Sequence, residues 1–175
     1  MRLIVDGYNI IGAWPEFKGV NDLARSRDML LSIMADYAGY TGEDVVVVFD
    51  GYHSGRKKPT IEEHSGISCV FTKHSETADQ YIERLVDEEL KGKHLSNRLY
   101  VRVATDDTLE RWVVLSRGAA RIGAGELRRQ VLKEREEGTQ NNAHAGETRA
   151  MDFSSRLDEK TRKAFEKMRR QTNEK

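Results

Sequence analysis

Cysteine is nearly missing from this 175-residue chain, and so is any excess charge of one sign. The one thiol, Cys69, excludes a disulfide framework and a cysteine-based zinc site. Lys+Arg and Asp+Glu number 29 each, a formal net charge of zero, so no global field draws the chain to nucleic acid or membrane. Binding to a polyanion has to come from local patches. No apolar run approaches the roughly 18 residues of a membrane span. The first twenty residues contain Asp6, Pro15, Glu16 and Lys18, which is unlike a signal peptide. Several enzyme signatures are also missing. There is no G-x-G-x-x-G, and Gly123-Ala-Gly125 lacks the third glycine. There is no phosphate-binding G-x-x-x-x-G-K-[ST] and no G-x-S-x-G. A covalent aspartyl phosphatase would place a second acid two positions after the first, where Tyr8 stands. His53, His64, His74, His94 and His144 show no metal-ligand spacing. These absences describe a soluble, cytoplasmic protein with one domain.

Charge is what the sequence has in plenty, at 33% of residues against a usual ~25%. It is unevenly spread. Residues 138–175 hold nine basic and six acidic side chains and few apolar ones, so they build no core of their own. Gly138–Gly146 (GTQNNAHAG) reads as a linker. Beyond it, Ser155-Arg-Leu-Asp158 resembles a capping box, and Phe153, Leu157, Ala164, Phe165 and Met168 form one stripe among basic residues. A basic amphipathic helix of this kind can dock on its own domain or bind RNA or the ribosome; a membrane surface fits poorly. The expected division is a domain over residues 1–137 and an extension over 138–175.

Residues 1–137 alternate between strand-like and helix-like segments. Arg2–Val5 is a short apolar run ending at Asp6-Gly7, and Asp44–Phe49 (DVVVVF) is a β-branched run of the kind buried on both faces. Ile67–Phe71, Leu99–Ala104 and Ala119–Ile122 are the other expected strands, with Cys69 in a core strand. Between them, Asp22–Gly39 carries apolar residues at helical spacing behind Asn21 as N-cap, and Thr77-Ala-Asp-Gln80 reads as a capping box. Thr108–Ser116 and Glu126–Glu137 complete the helices. Alternation of this kind predicts an α/β fold with a mainly parallel sheet, whose ligands bind along the carboxyl ends of the strands.

Acids stand at those ends. Asp6 closes the first expected strand, Asp50 the second, and Asp106-Asp107 follow Leu99–Ala104; Glu76 and Asp79 flank the capping box. Each Asp alone could simply cap a helix or start a turn. Together, carboxylates brought onto one edge repel and raise one another's pKa unless a cation neutralises them. With no Cys or paired His beside them, oxygen-only ligation points to Mg²⁺ or Mn²⁺, and thus to phosphoryl transfer or phosphodiester hydrolysis.

The segment Leu3-Ile-Val-Asp6-Gly-Tyr8-Asn9-Ile-Ile11-Gly-Ala-Trp14, with VVFDG at Val47–Gly51, resembles the NYN domain family of the PIN-like nucleases, in its YacP-like bacterial branch. Thr72–Glu83 (TKHSETADQYIE), Val101–Asp107 and Ala119–Ile122 followed by Glu126-Leu127 extend the resemblance over about residues 1–137. It implies a three-layer α/β/α sandwich and a metal-dependent endoribonuclease acting on messenger RNA in association with the ribosome. Carried over to this sequence, the metal-holding and catalytic acids are Asp6, Asp79 and Asp106. Asn9 orients the first acid, and Asp107, Glu76 and Asp50 are auxiliary. Water activated by one or two ions would then attack the phosphodiester, leaving 5′-phosphate and 3′-hydroxyl ends.

RNA beside an acidic pocket needs basic groups elsewhere. The loop containing Arg56, Lys57 and Lys58 follows a strand at the same edge and is the candidate phosphate clamp. Tyr8, Trp14 and Tyr52 are candidates for stacking unpaired bases, although each could equally be a packing residue. No DNA partner is expected. A catalytically silent RNA- or ribosome-binding module on the same fold stays open beside the nuclease, because fold alone does not carry activity.

Overall fold

The structure, a computed structural model, describes residues 1–51, 57–91, 101–107 and 118–138. The chain divides into one compact unit over Met1–Arg135 and a second over Glu136–Lys175, most of which lies outside the described residues. The expected linker and basic helix fall there, as does the expected Thr108–Ser116 helix.

Six strands form one sheet: β1 (Arg2–Asp6), β2 (Asp44–Phe49), β3 (Thr60–His64), β4 (Ile67–Phe71), β5 (Val101–Ala104) and β6 (Ala120–Ile122). Their spatial order is β3-β4-β2-β1-β5-β6, and every pairing is parallel except β3 with β4. The helices are α1 (Gly7–Ala13), α2 (Leu23–Thr41), α3 (Ala78–Leu90) and α4 (residues 124–138), with a short 3-10 turn at Pro15–Phe17. Side chains alternate across each strand, so consecutive residues serve opposite layers. Leu3, Val5, Val45, Val47 and Phe49 pack with Ile10, Leu30, Met34, Leu127 and Val131 of α1, α2 and α4. Ile4, Val46, Val48, Val70 and Val103 pack with Ala78, Tyr81, Ile82 and Val86 of α3. This is the three-layer α/β/α arrangement that the family resemblance implies, built on the mainly parallel sheet expected from the alternation. Cys69 is buried in β4, and burial pushes its thiol up to about 12, which removes it as a nucleophile.

Three local features differ from expectation. The N-cap of α2 is Asp22, whose side chain accepts Ala24 N–H, so the helix starts one position later than a cap at Asn21 would set. α1 begins immediately at Gly7 with Asp6 as its cap, so the first acid ends a strand and opens a helix at once. This abrupt change of direction brings the helix backbone onto Phe49. A Cβ on Gly7 would lie 2.2 Å from that ring, so only glycine fits. Finally, β3 has no counterpart among the expected strands. It is an edge strand with Glu62 and Glu63 exposed, joined to β4 through Ser65 and Gly66, both at positive φ as a two-residue hairpin turn requires.

The amino ends of the strands, opposite the acids, are tied by ion pairs. Arg102 on β5 donates to both oxygens of Glu43 at 2.6 and 2.7 Å and to Gln130 of α4 at 3.1 Å. Arg2 pairs with Asp44 and Glu89. These contacts fix α4 and α3 against the sheet and leave the carboxyl edge to chemistry.

Candidate active site at the strand reversal

From β1 the chain moves outward through β2 to β4, then returns to the other side of β1 for β5 and β6. The reversal opens between β1 and β5, where a crevice forms beyond the strand ends. Val5 is in register with Ala104, so Asp6 stands level with Thr105 at the mouth of that crevice.

Asp6 is 7% exposed. Its Oδ1 accepts Asn9 N–H at 3.2 Å as the α1 cap. Burial is the main reason its carboxyl is pushed up to about 6; Asp79 and Asp107 add to the rise, while the N–H groups of Asn9 and Tyr8 oppose it. Asp79 lies in the first turn of α3, positioned by a true capping box: Gln80 N–H donates to Thr77 Oγ1 and Thr77 N–H to Gln80 Oε1. Its carboxyl is also raised, by partial desolvation first and then by Asp107 and Asp50. Asp6, Asp79 and Asp107 therefore make up one acidic group, with Asp50 acting on Asp79. Two fully buried threonines hold the backbone beside it. Thr105 Oγ1 accepts Asp107 N–H at 3.0 Å, and Thr72 Oγ1 accepts Gly51 N–H at 2.9 Å.

Asp106 is arranged differently. Its N–H donates to Asn9 Oδ1 at 2.8 Å, while its own Oδ1 accepts from Arg121 Nη2 and from Ala124 N–H, each at 3.0 Å. Asn9 was expected to orient Asp6; its backbone does so, and its side chain also holds the end of β5. Asp107 rather than Asp106 is the β5 carboxylate that acts on both Asp6 and Asp79. Arg121 carried no signal of a site role in sequence. The nearest hint to Thr105 was the Thr-Asp-Asp sequence after an apolar strand, which favours a local hydroxyl-to-backbone turn.

Other expected residues stand elsewhere. Glu76 is tied to Arg84 of α3 at 3.1 Å and not to the acids. Trp14, a candidate for either base stacking or packing, takes the packing role: it is 2% exposed and its indole N–H donates to Ala124 O at 2.8 Å. A ring buried in the core cannot stack on RNA. Tyr8 is half-buried against Phe49, with its hydroxyl accepting from Arg27 at 2.9 Å. Lys57 and Lys58 are exposed; Arg56 and Tyr52 lie outside the described residues.

All the acids in the group offer oxygen donors, which suits Mg²⁺ or Mn²⁺. A buried carboxyl raised in part by two other acids is one whose ionised form a cation stabilises. Among the described residues, no three His, Cys, Asp or Glu side chains stand close enough together to form a finished metal site. No helix of the described residues is long and apolar enough to cross a membrane.

Comparison with known proteins agrees with this architecture. The model of the YacP-like NYN domain matches residues 3–170, extending past the 1–137 legible in motifs. The uncharacterized protein YacP of Bacillus subtilis (strain 168) is 41% identical over 132 residues, 74% of each chain. The crystal structure of Rae1 (YacP) from Bacillus subtilis superposes with a TM-score of 0.68 at 36% identity, covering 97% of this chain and 95% of that one. A tryptophan-to-leucine mutant of the same protein gives a TM-score of 0.70 at 29% identity, over 96% and 99%.

Proposed function

The chain belongs to the YacP-like NYN family, and we propose on that basis that it is a divalent-metal-dependent endoribonuclease. The observation that carries the proposal is the buried Asp6 at the strand reversal, its carboxyl raised to about 6 by burial first and then by Asp79 and Asp107. Asp6, Asp79 and Asp107 would hold Mg²⁺ or Mn²⁺, with Asp50 alongside and Asp106 as a further carboxylate at the rim. A bound ion supplies Lewis-acid polarisation of the phosphodiester and an acidified water. The chain's own part is to position. The Asp6 cap fixes its carboxyl at the start of α1, Thr105 fixes the Asp107 backbone, and Asn9 clamps the two strand ends together. Water attacks phosphorus in line, giving 5′-phosphate and 3′-hydroxyl ends. A side-chain nucleophile is not required, in keeping with the buried thiol of Cys69.

The substrate we propose is messenger RNA met on the ribosome in the cytoplasm, as the YacP-like resemblance implies. Lys57 and Lys58, with Arg56, form the phosphate clamp, and Tyr8 is the stacking residue nearest the acids in sequence. A silent RNA-binding module is favoured by one observation, the lack of a finished three-ligand cluster among the described residues. Incubating single-stranded RNA with the protein in Mn²⁺, with and without chelator, separates the two. Chelator-sensitive cutting supports the nuclease; binding with no cutting in either condition supports the silent module.

A further inference from the structure

The geometry points to Arg121 as a substrate-binding residue of this site, a guanidinium parked on Asp106 that takes a phosphate of the RNA strand when it arrives. The inference rests on the nuclease reading. Arg121 projects from β6 across the end of β5, where Nε donates to Thr105 O and Nη2 to Asp106 Oδ1, both at 3.0 Å. It therefore stands at the carboxyl edge, bonded to Thr105 and Asp106, the two residues before Asp107, with β5 between its strand and β1, which carries Asp6.

Three physical arguments separate this pair from a structural one. First, its side chains are 24% and 49% exposed, against 15% and 10% for the Arg102–Glu43 pair at the opposite edge. Exposed pairs contribute little, so exchange of Asp106 for a phosphate oxygen costs little. Second, both partners remain bonded if they part: Asp106 Oδ1 keeps Ala124 N–H, and Arg121 keeps Thr105 O through Nε. The planar guanidinium then moves as one unit, pivoting on its Nε bond to Thr105 O and carrying Nη1 and Nη2 together. Third, an anionic strand approaching the group of Asp6, Asp50, Asp79 and Asp107 meets repulsion that a cation at the rim offsets, and the planar guanidinium fork fits phosphate oxygens.

The test measures Mn²⁺ affinity of the RNA-free protein and affinity for a single-stranded phosphorothioate oligoribonucleotide over a salt series, for wild type, Arg121→Gln and Arg121→Lys, with melting temperatures alongside. For Arg121→Gln, RNA affinity should fall about tenfold, the scale of a lost charged hydrogen bond. The log-affinity versus log-salt slope should shrink by about 0.7, one single-strand phosphate. Mn²⁺ should bind about two- to fivefold more tightly, because an ion pair competing for Asp106 is gone. Arg121→Lys keeps the charge and should retain the wild-type slope while losing part of the affinity; if the Gln variant does not fold, this variant decides alone, and full wild-type affinity overturns the inference. A Gln variant with wild-type slope, or with weakened Mn²⁺ binding, overturns it too and makes Arg121 a corner brace. Wild-type protein that binds neither Mn²⁺ nor the oligonucleotide overturns the nuclease reading itself.

Discussion

The carboxamide oxygen of Asn9 accepts the backbone N–H of Asp106 at 2.8 Å, joining residues 97 positions apart. Asn9 N–H also caps onto Asp6, Asp106 accepts Ala124 N–H, and Ala124 O accepts the Trp14 indole at the far end of α1. The hydrogen bonds close a ring through α1, the end of β5 and the start of α4. Asp6 and Asp106 are thus held in place by Asn9, Ala124 and Trp14.

Asn9→Ala should lower stability by about 1 kcal/mol, one net hydrogen bond, at every pH. Asn9→Asp keeps an acceptor but adds a carboxylate next to Asp6, so its loss should be small at pH 4.5 and larger at pH 7.5. Urea titrations in chelator at the two pH values check this. A pH-independent loss for Asn9→Asp would show that charge crowding at this site is negligible.

Asp6→Asn should stabilise the metal-free protein at neutral pH while abolishing cleavage. The folded-state pKa of about 6 lies above the ordinary 3.8, so the folded chain holds the proton more tightly than the unfolded one. Wild-type stability from this group is therefore fully present below pH 3.8 and declines as pH rises through about 6. The linkage limit is ~3 kcal/mol, before any relaxation of the site. Asparagine can still cap α1. The variant-minus-wild-type difference in melting temperature should open between pH 4 and 7; a constant difference would contradict the shift. Mn²⁺ binding by wild type should release protons near pH 6.

Trp14→Phe removes the bond to Ala124 O and shrinks a buried indole to a phenyl, leaving a small void. About 2–3 kcal/mol should be lost, with affinity for single-stranded RNA per folded molecule unchanged. Weaker RNA binding at equal folded fraction would return Trp14 to the interface.

Replacing Arg56, Lys57 and Lys58 by Ala should weaken single-stranded RNA binding across sequences without changing preference among them. At about 0.7 per phosphate, three lost contacts lower the salt slope by about 2. An unchanged slope would mean the loop faces away from the RNA.

Sequence and structure agree where one physical signal dominates. The DVVVVF run could hardly be anything but a doubly buried strand, and Thr77–Gln80 spelled out its own capping box. β3 was illegible because TIEEH has a single apolar side chain, Ile61, and that side chain is exposed. An edge strand that faces water on both sides lacks the alternation that marks a strand. The motif around Asp6-Gly-Tyr8-Asn9 showed which residues gather but not how. Whether Trp14 faces solvent or core depends on α4, more than a hundred residues later. The hydrogen bonding that sets Asp106 apart from Asp107 likewise depends on Arg121, whose reach across β5 has no local sequence signature.

The central claim is that Asp6, Asp79 and Asp107 form a metal-dependent phosphodiesterase centre. End-mapping of single-stranded RNA after incubation with Mn²⁺ tests it most directly, using wild type with and without chelator and the folded Asp6→Asn, Asp79→Asn and Asp107→Asn variants. The expected result is internal cuts bearing 5′-phosphate and 3′-hydroxyl ends for wild type in Mn²⁺, and no cuts with chelator or in any of the three variants. Cutting that survives chelation, or survives in a variant at the wild-type rate, would contradict the claim.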